Sequence, residues 1–363
     1  MNVQKFAVIG AGNGGLAAAG HLSYMGFDVN LYNRSKERIV SVKKNMGVEI
    51  TGVLNKFVRL NKVTTNIKDA IEDVDIIMVV VPASGHKDIA TICAPYLRDG
   101  QIVILNPGRT FGALEFVNIL RENGSNVDIS IAETQTIIYT SRYHKAGNVE
   151  ILALKKRVPL AALPANKTTN IINILKTIYP QFVPAVNVLK TGLDNIGAIF
   201  HPAPTLLNIG WIESPKTAFK YYYDAITPTI SKFLEDMDKE RLDVANALGI
   251  EAMSAKDWLY QAYGVKGNSL YDALQKNDKY RTIDAPTTLK HRYILEDVPT
   301  GLVPIASLGA AFGVNTPKIK LIIQLASMLM GVDFWKTGRT VQNLGLTNLN
   351  ARTLKELIET NNI

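Results

Sequence analysis

Residues 5 to 15 read KFAVIGAGNGG, a short apolar run that ends in a glycine-rich turn. A helical pattern follows, with Leu16, Ala19 and Leu22 on one face, and FDVNLYN then reads as a second strand. Strand, glycine turn, helix, strand is the order that a dinucleotide pyrophosphate requires. Gly10 permits the tight turn, and Gly12 lets backbone approach the phosphates. Gly15 lets the helix pack close to the strand, while Asn13 and Gly14 complete a loop that presents the helix N-terminus to the ligand. A GxGxxG motif by itself is a weak signal; at the head of a βαβ pattern it is a strong one.

Further strands alternate with helices. DIIMVVVPA (75–83), QIVILNPG (101–108) and NVDISIAET (126–134) are apolar runs of the kind buried on both faces of a sheet. The expected fold class is an α/β Rossmann-type domain with a doubly wound parallel sheet. Such sheets place ligands at the C-terminal strand edges, so Pro82, Ala83, Asn106, Pro107 and Gly108 are candidates to line the cofactor groove. Simple loop punctuation is the competing reading for each. The second strand ends in Tyr32-Asn33-Arg34-Ser35-Lys36, without the carboxylate that usually binds the ribose hydroxyls of NAD. Asn33 leaves the ribose uncharged, and Arg34 with Ser35 can meet a 2′-phosphate. The rival reading is a surface arginine beside a helix cap at Ser35. The missing acid favours NADP, with NAD as the alternative.

Composition narrows the class. At 363 residues, 47% hydrophobic and 20% charged, the chain is an ordinary globular one, long enough for two domains. Cys93, its single cysteine, excludes an intramolecular disulfide and a cysteine-based metal cluster. The N-terminus enters a strand at once, and the apolar run near 319–331 is interrupted and too short for a bilayer, so a cytoplasmic protein without a membrane partner is expected. The net charge of +8 comes from scattered lysines, not from a basic block. It suits an anionic cofactor and carboxylate substrates better than nucleic acid. The sequence leaves the oligomeric state open, with a homodimer as the candidate assembly.

After about residue 187 the βαβ alternation stops and helical periods take over. The expected domains are 1–187, nucleotide-binding, and 188–363, helical and substrate-binding. Helices are expected near 191–201, 216–248, 254–263, 317–330 and 350–360. Among the five histidines, His201 stands out because Pro202 and Pro204 stop the helix behind it and Asn195 precedes it by six residues. A rigid helix end can aim an imidazole into a cleft, although a structural histidine satisfied by backbone is the commoner case. Far downstream, HRYILEDVPTG (291–301) crowds His291, Arg292, Glu296 and Asp297 together before an expected break at Pro299 and Gly301. Alone it reads as a solvated turn.

The segments GAGNGG, VVPASGH, LNPGRTFGALEF, AETQTIIYTSR, DNIGAIFHP and RYILEDVPTGLVP, spread from end to end, resemble the octopine/nopaline dehydrogenase family of opine dehydrogenases. The last three are the specific ones. The resemblance implies that His201 is the acid–base catalyst, that Asp297 orients it, and that Arg292 binds a substrate carboxylate. Asn195 would then position substrate or nicotinamide, leaving Glu296 and His291 as solvated neighbours. Related hydroxyacid and ketopantoate reductases carry a lysine four residues before this asparagine. Thr191 stands there instead, with Lys190 one step, about 100°, out of phase.

The reaction so implied is a reversible, NADPH-dependent reductive condensation of a pyruvate-like 2-oxo acid with the amine of an amino acid. A ketopantoate- or hydroxyacid-type reductase is the nearer rival, and a non-catalytic NADP-binding sensor the more distant one. The side-chain pocket is expected around Trp211, Tyr221 to Tyr223 and Trp258, against the commoner role of such aromatics as core.

Overall fold

The computed structural model describes residues 5–145, 147–214, 218–347 and 349–360. The chain divides into two compact units, one running to Thr191 and including the C-terminal segment from Glu356, the other spanning Gly192–Lys355.

The first unit is built on the opening stretch. Its strands are β1 (Lys5–Ile9), β2 (Asp28–Tyr32), β3 (Gly47–Gly52), β4 (Lys56–Arg59), β5 (Lys62–Thr64), β6 (Ile76–Val79), β7 (Ile102–Leu105), β8 (Ser130–Thr134), β9 (Tyr139–Lys145), β10 (Asn148–Leu154), β11 (Val158–Leu163) and β12 (Phe182–Pro184). Eight of them form one sheet in the order β12-β11-β8-β7-β6-β1-β2-β5. Pairing is parallel throughout except between β8 and β11, so the doubly wound sheet carries one reversed step towards its edge. The central strands β1, β6 and β7 are almost wholly buried, as their unbroken apolar runs require. A second sheet, β4-β3-β10-β9, was not anticipated. It covers the first helix, Asn13–Tyr24: Gly20 leaves no room for a Cβ without pressing Ile50 at 3.1 Å.

The second unit is helical, with a single isolated bridge between Lys220 and Asp284 among its described residues. Its longest α-helix, Pro228–Ala247, starts on a Thr227 cap and a first-turn proline. Three expectations need correction. The helix expected over 191–201 is interrupted at Asn195, between Val188–Leu193 and Gly197–Phe200. The one expected over 216–248 is two pieces, Tyr221–Asp224 and Pro228–Ala247, because Pro228 opens a new helix; residues 216 and 217 lie outside the described residues. Most important, the chain does not break at Pro299 and Gly301. Arg292–Ala311 is one helical run of 20 residues, with a π turn at Val298–Leu302.

The π turn explains how the proline is tolerated. Pro299 has no N–H to give, and the ladder resumes with five-residue bonds, Leu302 N–H to the Asp297 carbonyl and Val303 N–H to that of Val298. Arg292–Ala311 is long and apolar enough to cross a bilayer, but 83% of that window is buried inside the protein, the mark of a core helix.

Candidate active site

In the first unit, the glycine turn has the backbone shape that a pyrophosphate needs. Gly10 sits at φ +113°, and a Cβ there would meet the Val80 carbonyl oxygen at 2.4 Å. At Gly15 a Cβ would lie 1.9 Å from the Gly10 oxygen, so only glycine lets the helix begin this close to β1. Gly12 differs: among the described residues nothing stands within 4 Å of its missing Cβ, which leaves space beside the turn. It caps the helix without a side-chain bond, and no acid occupies the first helical turn, so the exposed N–H groups suit phosphate. Asn13 is exposed at that helix start, while Gly14 is pressed by Ile137, whose Cδ1 lies 2.3 Å from a notional Cβ. These residues fit a dinucleotide.

At the end of β2, Asn33 has a structural duty. Its Oδ1 accepts from Ala11 N–H at 2.9 Å and its Nδ2 donates to the Ser35 carbonyl at 3.0 Å, tying the glycine turn to the loop after β2. Ser35 caps the helix Lys36–Asn45 without a side-chain bond. Arg34 projects into solvent, 82% exposed, with Asp88 3.4 Å away as an exposed partner. At the neighbouring strand ends, Pro82 is exposed and Ala83 buried. Asn106 is buried and accepts from Thr134 Oγ1 at 3.1 Å, while Gly108 packs on Glu133 too closely for any side chain.

Glu133 itself was missed by sequence reasoning. It is fully buried, accepting from Ala113 N–H at 2.8 Å and from Thr191 Oγ1 at 2.6 Å. Thr191, where the hydroxyacid-type reductases have lysine, is thus committed to a carboxylate.

The second unit gathers the histidine and the charged stretch. His201 sits between Gly197–Phe200 and Pro202–Leu207, 8% exposed, and Asp297 is fully buried at the mouth of the π turn. Nδ1 of His201 lies 2.7 Å from Asp297 Oδ2. A carboxylate only accepts, so the Nδ1 proton is donated to it, and Nε2 is left to accept. The Tyr222 hydroxyl donates there at 3.1 Å. Tyr293 stacks on the imidazole with centroids 4.0 Å apart and planes 14° off parallel. The adjacent Tyr221 bonds its hydroxyl to the His201 carbonyl at 2.6 Å and to Thr205 at 2.8 Å, holding the backbone in place.

What brings the two segments together is Gly301. A Cβ there would lie 2.8 Å from Ala198 Cβ and 3.3 Å from Asn195 Nδ2, so the π turn packs directly on the helix ahead of His201. Asn195 is 2% exposed at this crossing. Arg241, which sequence reasoning passed over, is fully buried behind it. It binds Asp238 Oδ1 at 2.6 Å, the Met253 carbonyl at 2.6 Å and the Leu193 carbonyl, bracing the segment that leads to Asn195.

Arg292 is half exposed, lies over the Tyr293 ring at 5.4 Å and reaches Glu296 at 3.4 Å. The described residues thus leave most of its five N–H donors to a ligand. Glu296 is not the solvated neighbour expected; it is 3% exposed, because the helix continues and turns it inward. His291 accepts from Tyr293 N–H as helix cap, and burial, then the Arg292 charge, lowers its pKa. Of the expected pocket aromatics, Trp211 stacks on Phe219 at 4.0 Å, and Tyr223 bonds the Gln275 carbonyl at 2.7 Å. Tyr222 and Trp258 both meet Phe200 edge-on.

Residues 184–330 match the family model described as NAD/NADP octopine/nopaline dehydrogenase, alpha-helical domain, and residues 5–110 match the NAD binding domain of 6-phosphogluconate dehydrogenase. An opine dehydrogenase of Arthrobacter sp. (strain 1C) is 40% identical over 357 residues, covering 98% of this chain and 99% of its own. Among solved structures, an octopine dehydrogenase in complex with NADH and agmatine superposes with a TM-score of 0.81 at 20% identity, covering 97% of each chain. A yersinopine dehydrogenase with NADP+ bound has a TM-score of 0.76 at 18% identity, over 99% of this chain and 98% of its own.

Proposed function

The chain belongs to the octopine/nopaline dehydrogenase family, NAD(P)-dependent oxidoreductases, and we propose that it catalyses the NADPH-dependent reductive condensation of a pyruvate-like 2-oxo acid with an amino acid. The observation that carries this reading is the His201–Asp297 pair at 2.7 Å with a half-exposed Arg292 on the same helical run as Asp297. Imine formation needs a base to free the amine and an acid to expel water. A neutral imidazole whose protonated form is stabilised by a buried carboxylate serves as both. Arg292 holds the oxo acid through its carboxylate, as a planar guanidinium does well. Asn195 positions the same substrate.

The bound dinucleotide supplies the hydride that reduces the imine carbon. The glycine turn, through Gly10, Gly12, Asn13, Gly14 and Gly15, holds its pyrophosphate, with Pro82 and Ala83 at the adjoining strand end. At the adenosine end the last residue of β2 and those just after it, Tyr32 to Lys36, carry no acid, and Arg34 with Ser35 receives the 2′-phosphate, which favours NADPH over NADH. The work of Asn33 is to hold that loop. Oxidation of the secondary amine back to the oxo acid and amino acid is the same path reversed. A simple ketone reductase of the hydroxyacid type is disfavoured, because Thr191 replaces its lysine and is spent on Glu133.

The test is a matrix of 2-oxo acids against amino acids, following NADPH consumption. Turnover that requires both substrates and yields a secondary-amine dicarboxylate is expected. Equal turnover with the oxo acid alone would refute the condensation and install the ketone reductase.

A further inference from the structure

Both ring nitrogens of His201 are engaged, Nδ1 by Asp297 at 2.7 Å and Nε2 by the Tyr222 hydroxyl at 3.1 Å, while Tyr293 covers one ring face. A proton exchanged at Nε2 must therefore cross the Tyr222 oxygen or displace it. Packing opposes displacement. Tyr222 is 5% exposed, stacks on Tyr280 with centroids 4.0 Å apart, and meets Tyr221 edge-on at 5.1 Å and Phe200 at 6.4 Å. Burial first, then the nearby tyrosines, keeps this phenol well above its ordinary pKa, so it is a neutral O–H donor wherever the enzyme would be assayed.

We propose that Tyr222 passes protons between His201 Nε2 and the substrate nitrogen, an inference that rests on the imine chemistry proposed above. As the ammonium of the amino acid gives its proton to a lone pair of the Tyr222 oxygen, the phenolic proton moves to Nε2. One N–H bond breaks and one forms, the phenol is regenerated, and no electrons change hands. The result is a free amine and an imidazolium beside Asp297. For the later loss of water the relay works in the other direction with a different acceptor: the imidazolium gives its Nε2 proton to the Tyr222 oxygen as the phenolic proton passes to the carbinolamine hydroxyl, which leaves as water. Tyr221 takes no part, since its hydroxyl is bound to the His201 carbonyl and Thr205.

Tyr222→Phe keeps the ring and its stack on Tyr280 while removing the proton. Under single-turnover conditions, with saturating NADPH, the rate of imine reduction should fall roughly 10- to 100-fold, short of the full general acid–base contribution. The KM for the oxo acid and the affinity for NADPH should stay unchanged. Rates in mixtures of H2O and D2O should bow for the native protein, because two protons are in flight, and run straight for the variant. Tyr221→Phe should leave the curve bowed. A native rate that varies linearly with deuterium content would overturn the relay even if Tyr222→Phe failed to fold. A Tyr222→Phe protein with native rate and native curvature would overturn it too. His201→Ala, run in parallel, separates the two readings: if it keeps its turnover, the role of His201 falls, whereas if it is inactive beside a fully active Tyr222→Phe, only the relay falls.

Discussion

Asp297 Oδ2 lies 2.7 Å from Nδ1 of His201, across 96 residues of sequence. The carboxylate is fully buried, so the pair is poorly screened, and truncating either side takes this charge-assisted contact from the other. His201→Ala is expected to abolish turnover while NADPH binding stays nearly native, because the imidazole acts on substrate protons. Asp297→Asn should fold yet misorient the ring, lowering kcat by roughly 10²–10⁴-fold. The double variant should be no slower than His201→Ala. Multiplying losses in the steady-state rates would show that the two do not work as a unit.

Arg292 offers a different signature. It is half exposed, with a 3.4 Å contact to Glu296 and the Tyr293 ring face as its holds among the described residues. Arg292→Ala should raise the KM for the 2-oxo acid and leave the amino-acid KM close to native. Arg292→Lys should recover part of the loss, since it restores charge without the planar fork. A kcat defect at unchanged KM, measured with both substrates varied, would remove Arg292 from carboxylate binding.

The cofactor preference turns on Arg34, whose exposed contact with Asp88 at 3.4 Å competes with any phosphate it receives. Arg34→Asp should cost NADPH binding about 1.5–3 kcal/mol, the range of a charge-assisted hydrogen bond, with little effect on NADH. Asp88→Asn should act in the opposite direction and tighten NADPH, because it frees the guanidinium. Fluorescence titration with both cofactors decides the matter. Equal native affinities would dispose of the 2′-phosphate role.

How far could all this be read from the chain? The nucleotide-binding sheet was legible because Gly10 and Gly15 occupy positions where backbone approach leaves no substitute, and because β6 and β7 are buried on both sides. The pair of His201 and Asp297 came through resemblance, since no periodicity links positions so far apart. Local rules failed at Pro299, which they read as a helix end; tertiary packing against Ala198 and a change to five-residue bonds keep the helix going. That single error also misplaced Glu296 in solvent. Arg241 and Glu133 were invisible because a buried ion looks, in sequence, like any surface charge. In the β4-β3-β10-β9 sheet, EILALKK within and after β10 reads as strand-like, but β3, β4 and β9 were hidden by their mixed polarity.

Gly301 offers the sharpest test of how the fold makes the site. Its missing Cβ would stand 2.8 Å from Ala198 Cβ, a distance that real contacts do not reach, so Gly301→Ala must push the π turn away from the helix that leads to His201. Overpacking of this kind costs about 1–3 kcal/mol of stability, and here it also separates Asp297 from the imidazole. Denaturant unfolding should show the lost stability, and kcat should fall towards the Asp297→Asn value while NADPH affinity remains native. Ala198→Gly removes the opposing methyl. Combined with Gly301→Ala it should restore much of both stability and rate, since two residues that share one contact are coupled. If the double variant instead shows the summed losses of the two singles, the close approach at Gly301 is not what holds Asp297 on His201.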